Sequence, residues 1–346
     1  MKILIVRIDH IGDLILTTPL IRSLALSGHS VEALVRTSNI PVLLHNPYIV
    51  EHFMLEEIAP MFPNNWMLLS KWIRSQAYDA IIFPHAKPKE LLFASFFSGV
   101  KLRVAMWSGI WGRMTFHKCL RSGVNKVPRH LSDILLDCSR VLNISTNGIR
   151  PDFFLNEEER CAARKEMEER FHRLKIVGIH PGCSGNTCNL QSRVYGELAL
   201  KLIEIENIAV VGTGTNSEMR LFETWPFKLL NHSRFYNACG KWTLRELAAR
   251  MSTFSIMVSG STAPLHIANA LEIKTVSPFC ASPALSAFVW GNPTPRSIAI
   301  SPHAEYCLLR RKHTYTHCDF EGHISVDDIF SAVLKCMGIS YKNTDA

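Results

Sequence analysis

The sequence predicts an α/β protein made of two domains, each built on an open parallel sheet, and three observations support this. The chain has 346 residues, which is more than a single hydrophobic core usually supports. Short β-branched runs alternate with helical patterns along most of its length. A polar stretch, 143–151, interrupts the alternation before it restarts. We therefore expect domains at 1–150 and 151–346, facing each other across a ligand-binding cleft.

The first half supplies the elements of the first sheet. Its runs Ile3–Val6 and Ala80–Phe83 are apolar on both faces, which is typical of central strands covered by helices. The predicted elements are Lys2–Ile8, a helix over 13–27, Val31–Arg36, His52–Glu57, Tyr78–Pro84 and Lys101–Ala105.

The second half opens with a helix start signal. Asn156 stands three residues before Glu159, and this spacing predicts an N-cap and a helix to about Phe171. The alternation then predicts strands at 174–180, 208–212, 255–260 and 274–278, and helices at 193–206, 217–224, 243–252 and 264–271.

Composition excludes several classes of protein. With 47% apolar and 20% charged residues, and modest Gly and Pro, the chain is not disordered, collagenous or a coiled coil. No apolar stretch reaches the roughly 20 residues of a membrane span, and Met1–Arg7 reads as a strand and not a signal peptide, so we expect a soluble protein. Its ten scattered cysteines form no C-x-x-C pair, which favours reduced thiols in the cytoplasm.

The positive charge is concentrated in the first half. Residues 1–150 hold 17 Lys and Arg against 10 Asp and Glu, whereas 151–346 hold 21 against 20. This asymmetry favours an anionic partner for the first half: a nucleic acid, a membrane surface or a phosphorylated substrate.

The loop after the first strand places Gly12 and Asp13 at the start of a helix. It lacks the G-x-G-x-x-G spacing, so a dinucleotide site, and with it a nicotinamide dehydrogenase, is disfavoured. Asp13 would project from the first helical turn into the cleft, although helix capping alone also explains a carboxylate there.

Two loops of the second half are rich in glycine and small residues. His180–Thr187 could turn backbone N–H groups toward an anion, or be a plain strand-to-helix turn. Val211–Glu218 offers two glycines and a carboxylate that could hold a ribose or base, and Glu218 could equally be a solvated residue of a first helical turn.

The fourth loop, Ser259–His266, leads into another helix. Pro264 suits its first turn, and the N–H groups just before it are of the kind that bind pyrophosphate. His266 could touch phosphate or sugar, although a packed core histidine is the commoner outcome.

Together these four loops resemble those of the ADP-heptose:lipopolysaccharide heptosyltransferase family, glycosyltransferase family 9, in order and spacing over residues 2 to about 335. The resemblance implies two Rossmann-like domains facing across a cleft, which is the GT-B glycosyltransferase fold, with an N-terminal acceptor-binding and a C-terminal nucleotide-sugar-binding domain. It also implies inverting, metal-independent transfer of heptose from ADP-heptose to a lipopolysaccharide inner-core acceptor, without a cofactor.

The resemblance assigns roles to particular residues. Asp13 matches the family's catalytic base. The donor would be bound in the C-terminal domain by Gly182, Cys183, Glu218, Lys241, Trp242, Ser261, Thr262, Ala263 and His266.

The sequence departs from the family pattern at two positions. Ser261 stands where the family has Asp, and Cys188 where it has a basic residue; Arg193 or Lys241 would then supply the missing charge to the leaving diphosphate. Two alternatives follow: another nucleotide-sugar donor, or a non-catalytic homologue that binds nucleotide or glycolipid.

A basic, aromatic stretch completes the predicted site. No acidic residue occurs from Leu91 to Ser132, where Trp107, Trp111 and Phe116 accompany Lys101, Arg103, Arg113, Lys118, Arg121, Lys126 and Arg129. We interpret Arg103, Arg113, Lys118 and Arg121 as binding the acceptor, on a cytoplasmic enzyme peripheral to the inner membrane; a solvated face over core tryptophans is the alternative. No nucleic-acid-reading module accompanies the stretch, so we expect no nucleic acid partner.

No D-x-D motif is present to hold a metal ion, so we expect no metal site. A zinc site is the minor alternative, because five side chains that can bind zinc lie close together in the sequence: His303, Cys307, His313, His317 and Cys318.

Overall fold

A computed structural model of the chain describes residues 1–85, 87–106, 110–120, 129–183, 185, 187–293, 295, 297–303, 320 and 322–340. It divides into two compact units, the first ending at Phe154 and the second beginning at Leu155. We describe each unit by itself.

The first unit contains a parallel sheet of six strands in the order β3-β2-β1-β4-β5-β6. The central strand β1 pairs with both β2 and β4, and its apolar run is fully buried, as the sequence predicts. The strands are β1 (Lys2–Arg7), β2 (Ser30–Val35), β3 (Glu51–Met54), β4 (Ala80–Phe83), β5 (Leu102–Met106) and β6 (Lys118–Leu120).

Nine helices of the described part of the first unit, with a 3₁₀ turn at Thr37–Asn39, connect and flank these strands. They are α1 (Ile11–Ile15), α2 (Thr18–Leu26), α3 (Ile40–Leu43), α4 (Leu55–Ile58), α5 (Trp66–Ser75), α6 (Glu90–Phe97), α7 (Ile110–Thr115), α8 (Leu131–Leu135) and α9 (Asp137–Arg140).

The single helix predicted over 13–27 is wrong, because the chain forms α1 and then α2. Pro19 has no N–H to donate to the carbonyl of Ile15, and the hydroxyl of Thr18 donates to that carbonyl instead, at 2.7 Å. The strand predicted to Glu57 also ends early, at Met54, where α4 begins.

The polar stretch predicted as a linker is bound to the first unit. The Arg22 guanidinium donates to the carbonyls of Asn147 and Arg150 at 2.9 and 3.0 Å and forms an ion pair with Asp152. This contact explains why the first unit extends beyond the predicted boundary to Phe154.

The second unit repeats the topology of the first, with its six parallel strands in the order β12-β11-β10-β7-β8-β9. The first strand of the unit again lies in the middle, next to the second and the fourth. The strands are β7 (Lys175–His180), β8 (Ile208–Gly212), β9 (Phe235–Asn237), β10 (Ile256–Ser259), β11 (Thr275–Pro278) and β12 (Ile298–Ile300).

Helix α10 of the second unit starts where the sequence places a cap signal. Asn156 and Glu159 form the predicted capping box at α10. The helix predicted over 217–224 is a 3₁₀ helix, Asn216–Thr224, and a short 3₁₀ turn spans Pro283–Leu285. The α-helices are α10 (Glu157–Phe171), α11 (Ser192–Ile203), α12 (Phe227–Leu230), α13 (Leu244–Met251), α14 (Ala263–Ala270), α15 (Ala287–Trp290) and α16 (Val326–Met337).

The C-terminal helix α16 has no counterpart in the sequence analysis. Its apolar face, which includes Ile329 and Val333, is fully buried in the core of the second unit beside Leu198 of α11. Among the described residues, no helix combines the length and apolar character needed to cross a membrane.

Candidate functional site

In the first unit, the loops after β1 and β4 emerge at the point where the strand order reverses. Open parallel sheets bind ligands there, at the carboxyl ends of their strands. The loop after β1 carries Asp9 and Asp13, and His85 follows β4. The structure thus places Asp13, which was predicted, at the carboxyl edge of the sheet together with Asp9 and His85, which were not predicted as site residues.

Asp13 is held by a buried arginine that the sequence analysis did not identify. Arg7 is the last residue of β1, and its side chain is only 3% exposed. Its Nη2 lies 3.0 Å from Oδ1 of Asp13, and its Nε lies 3.3 Å from Oδ2 of Asp9. Both carboxylates keep about one fifth of their surface exposed, at 20% and 21%, so one guanidinium orients two acids that face solvent.

Two side chains from the segment after β2 fix the backbone of the same loop. Arg36 donates from Nε to the carbonyl of Ile8 at 2.8 Å, and the Asn39 amide donates to the carbonyl of Asp9 at 2.8 Å. The loop that carries the acids is therefore anchored from a neighbouring strand as well as from its own.

His85 is electrostatically coupled to this cluster. Burial lowers the pKa of His85; the nearby Asp9 and, more weakly, Asp13 oppose that shift, and Arg7 and Lys87 reinforce it. A lowered pKa keeps the imidazole neutral at pH 7, so it can donate or accept a hydrogen bond beside the two acids.

In the second unit, the loops after β7 and β10 lie at the corresponding strand reversal. Asn189 joins them: its amide donates to the carbonyl of Pro181 at 2.9 Å, and its Oδ1 accepts a hydrogen bond from Tyr195 at 2.7 Å. A Cβ on Gly260 would lie 2.6 Å from that same Oδ1. Asn189, the neighbour of Cys188 in the segment where a basic residue was expected, is thus a buried structural amide, and only tertiary contacts reveal this.

Glu218 is not merely a solvated first-turn residue. Its Oε2 accepts hydrogen bonds from the backbone N–H and the hydroxyl of Thr215, at 2.7 and 2.8 Å. Its Oε1 would lie 1.8 Å from a Cβ on Gly182, so a larger residue at that position would push this carboxylate aside. Two predicted donor residues, Gly182 and Glu218, are therefore in direct contact.

His180 lies under the same carboxylate. Its Nδ1 is 3.1 Å from the Thr213 hydroxyl, which itself donates to the carbonyl of Ile179 at 3.3 Å. Its Nε2 is 3.9 Å from Oε1 of Glu218. Burial lowers the pKa of His180, against the opposing effect of Glu218, and the ring is neutral at pH 7.

The residues predicted around the start of α14 lie together in sequence and space. Thr262 is the N-cap, with extended backbone and no side-chain cap, and Ser261, Thr262 and Ala263 are partly exposed. His266 is buried at 3%, with its ring 6.4 Å from that of Trp290. Three of these four predicted residues are therefore accessible at the helix terminus, whereas His266 packs in the interior.

Lys241 and Trp242 belong to a group of stacked aromatic rings and cations beyond β9. Lys241 Nζ lies 4.5 Å from the ring centre of Tyr236, and the guanidinium of Arg250 lies 5.1 Å from that of Trp242. Cys183 is half-buried, and Arg193 is exposed with Nε 3.0 Å from Oε1 of Gln191.

The basic stretch is less uniform than its composition suggests. Arg103 uses its guanidinium inside the fold, donating to the carbonyls of Thr115 at 2.8 Å and Val100 at 2.5 Å, and burial lowers its pKa. Arg129 forms ion pairs with Asp133 and Asp137. Arg113 and Lys118 are exposed, and Phe116 packs on Phe83 in the core.

Several predicted residues lie outside the described part of the chain. These are Trp107, Arg121, Lys126, and Cys307, His313, His317 and Cys318 of the alternative zinc site. Among the residues that are described, no group of three or more His, Cys, Asp or Glu side chains is arranged to hold a metal ion.

Two Rossmann-like units in one chain, each with its candidate residues at the strand reversal, define the GT-B class of glycosyltransferase folds. Within this class the chain belongs to glycosyltransferase family 9 (heptosyltransferase), whose family model matches residues 67–294. The predicted fold class and family resemblance are confirmed.

Similarity to individual proteins is distant. The chain is 20% identical to lipooligosaccharide heptosyltransferase 2 of Campylobacter jejuni over 156 residues, which are 45% of this chain and 48% of that protein. The match thus spans about half the length of that relative.

Two solved structures share the fold. A family 9 glycosyltransferase from Veillonella parvula superposes with a TM-score of 0.77 at 16% identity, covering 97% of each chain. ADP-heptose LPS heptosyltransferase II of E. coli gives 0.75 at 16% identity, covering 97% of this chain and 98% of that one. At this identity, the likeness is one of fold alone.

Proposed function

We propose that this chain is an inverting, metal-independent glycosyltransferase that transfers heptose from ADP-heptose to an acceptor in the inner core of lipopolysaccharide. The observation that carries the proposal is the position of Asp13: an accessible carboxylate at the carboxyl edge of β1, oriented by a buried guanidinium. Family membership and the names of the relatives support the donor and acceptor classes.

Asp13 is the general base in this proposal. It takes the proton of the acceptor hydroxyl while the hydroxyl oxygen bonds to the anomeric carbon, and the bond from that carbon to the diphosphate breaks with its electron pair going to ADP. Attack from the face opposite the leaving group inverts the anomeric configuration.

The second unit binds the donor. Glu218, fixed by Thr215 and lying against Gly182, is oriented to accept hydrogen bonds from a ribose or sugar hydroxyl. The accessible start of α14 favours the negative diphosphate, with Lys241 or Arg193 supplying positive charge as ADP departs. The donor set is Gly182, Cys183, Glu218, Lys241, Trp242, Ser261, Thr262, Ala263 and His266.

One observation favours a second candidate, the same reaction with another nucleotide sugar. Ser261 is partly exposed at the α14 terminus and replaces a carboxylate that the family resemblance leads one to expect there. Calorimetric titration with ADP-heptose and with UDP- and GDP-sugars distinguishes the donors, because the true donor binds most tightly.

In this proposal the first unit binds the acceptor at the surface of the inner membrane. Arg113 and Lys118 are exposed members of the proposed acceptor set; its other members are Arg103, whose guanidinium also donates to backbone carbonyls inside the fold, and Arg121. Cytoplasmic location, peripheral to the inner membrane, follows from a phosphorylated glycolipid acceptor and the charge of the first unit.

The substitution Asp13→Ala tests the proposal. We expect transfer from ADP-heptose to a lipopolysaccharide core acceptor to fall by about 10²- to 10⁴-fold, the usual contribution of a general base. Donor affinity, measured by calorimetry, stays unchanged because the donor residues lie in the second unit.

The matched control is Asp79→Ala, which removes an exposed aspartate from the opposite edge of the same sheet, where it accepts a hydrogen bond from the Lys2 N–H. Its activity should match that of the unmodified protein. Normal turnover by the Asp13 variant contradicts the mechanism, and ADP binding without transfer to any core acceptor in the unmodified protein identifies a non-catalytic homologue.

A further inference from the structure

We propose that Arg7 is a positioning residue: it holds Asp13 through Oδ1 in the orientation that presents Oδ2 to the acceptor hydroxyl. This inference rests on the proposed role of Asp13 as the base. Nη2 of Arg7 lies 3.0 Å from Oδ1 of Asp13, which is the distance of an ion pair, and the burial of the arginine limits the screening of this attraction by water.

The burial of Arg7 is hard to explain by stability alone. A buried guanidinium loses its hydration and needs its donors satisfied by protein groups. In the described part of the chain, Nε and Nη1 of Arg7 make no hydrogen bond, and its ion-pair partners are the two acids of the site, Asp9 and Asp13. Its charge is therefore directed at the site and not at the surrounding backbone.

Arg22 shows what a structural arginine looks like in the same unit. It is also largely buried, with its side chain 11% exposed. Its guanidinium pairs with one carboxylate, Asp152, and donates to backbone carbonyls of the segment after α9, which it ties to α2. Arg22 therefore stabilises the packing of the chain, whereas Arg7 contacts the acidic side chains of the site.

The support behind Arg7 is rigid. It is the last residue of the central strand β1, paired in register with Val35 of β2. Its charge also reaches the fully buried thiol of Cys138 on α9: burial raises the pKa of that thiol to about 12, with Arg7 opposing the shift. The guanidinium is thus buried at the end of a central, paired strand.

A base that loses this support loses its alignment. Misplacement of a reacting group by about 1 Å costs on the order of 10²-fold in rate. Donor binding does not depend on the contact, because the donor residues belong to the second unit. The expected signature is therefore a fall in kcat without a change in donor affinity.

The test compares Arg7→Met, Arg7→Lys and the control Arg22→Lys for kcat, donor KM and calorimetric Kd for ADP-heptose. We expect kcat to fall by about 100-fold in Arg7→Met and about 10-fold in Arg7→Lys, because a lysine restores the charge but not the fork that reaches both acids. Donor Kd stays within about twofold in both, and Arg22→Lys keeps the original kcat even where its melting temperature falls.

Several outcomes overturn the inference. It fails if a folded Arg7 variant keeps the original kcat, or if its loss appears in donor Kd and not in kcat. If Arg7→Met does not fold, Arg7→Lys decides alone by the same criteria. The two failures are distinguishable. An active Asp13→Ala variant refutes the proposed function, whereas an inactive Asp13→Ala variant together with fully active Arg7 variants refutes only the role of Arg7.

Discussion

The residues of the two candidate sites differ in what makes them necessary. Asp13 is a chemical group that needs an orientation, which Arg7 provides. Gly182 leaves room for the Glu218 carboxylate, because a Cβ at this position would lie 1.8 Å from its Oε1 and displace it. The glycine serves close approach here and not an unusual backbone conformation.

Gly182→Ala should therefore disturb the donor site through Glu218. The methyl group forces the carboxylate off the Thr215 cap, and we expect ADP affinity to fall by about tenfold, or about 1.4 kcal/mol. Isothermal titration with ADP measures it.

A double-mutant cycle identifies the cause. If the clash is the mechanism, Gly182→Ala costs much less in a Glu218→Ala background than in the unmodified chain. Equal costs in both backgrounds contradict the role of Glu218.

At the scale of elements, α10 is fixed at its start by one glutamate that serves two contacts. Glu159 accepts a hydrogen bond from the Asn156 backbone N–H at 2.9 Å to close the capping box, and it also pairs with Arg245 of α13 at 2.5 Å. The cap and the packing of α10 on α13 are therefore coupled within the second unit.

Asn156→Ala should lower the free energy of unfolding of the second unit by about 1 kcal/mol, the usual worth of an N-cap side chain. The lost contact is the bond of 2.8 Å from the Glu159 N–H to the Asn156 side chain. Urea unfolding followed by circular dichroism measures the change.

Ser325→Ala removes the equivalent capping side chain from α16, which lacks an ion pair to a neighbouring helix at its N3 residue among the described contacts. We expect a similar or smaller loss there. An unchanged urea midpoint for Asn156→Ala would mean that Glu159 and Arg245 alone fix the helix start.

At the scale of the whole molecule, the excess positive charge lies in the first half of the sequence. The structure places exposed Arg113 and Lys118 in the same unit as exposed apolar side chains of α6, Phe96 at 46% and Phe97 at 52%. Cations with exposed aromatic side chains suit an anionic lipid surface.

The paired substitution Arg113→Glu and Lys118→Glu should weaken binding to vesicles of phosphatidylcholine and phosphatidylglycerol by at least about tenfold. Each basic residue near an anionic surface contributes about 1 kcal/mol. Co-sedimentation across a series of lipid concentrations gives the partition coefficient.

The control reverses two exposed cations of the second unit, Arg164 and Lys165 on α10, by substitution with Glu. It should leave binding unchanged. Equal loss in both variants would indicate a response to net charge only, and no binding of the unmodified chain would refute the peripheral location.

The sequence by itself determined the order of elements and the loops that carry chemistry. Alternation of apolar runs and cap signals are local properties, so β1, β4 and the start of α10 were predictable to within a few residues. Asp13 was predictable because it follows a strand and opens a helix. The helix break before α2 was missed although its cause is local: Pro19 cannot donate to the carbonyl of Ile15, and the Thr18 hydroxyl donates to it instead.

Tertiary structure alone decided which side chains support the site. Arg7 meets Asp9 and Asp13 because β1 ends next to the turn that leads into α1. His85 lies near them because β4 pairs with β1, although β4 begins at Ala80, 73 residues after Arg7. Asn189 and Arg103 look like ordinary polar residues until their partners are known. The spacing of apolar residues shows whether a segment is a helix or a strand. Which strands become neighbours in the sheet depends on the strand order, and the local sequence does not encode that order.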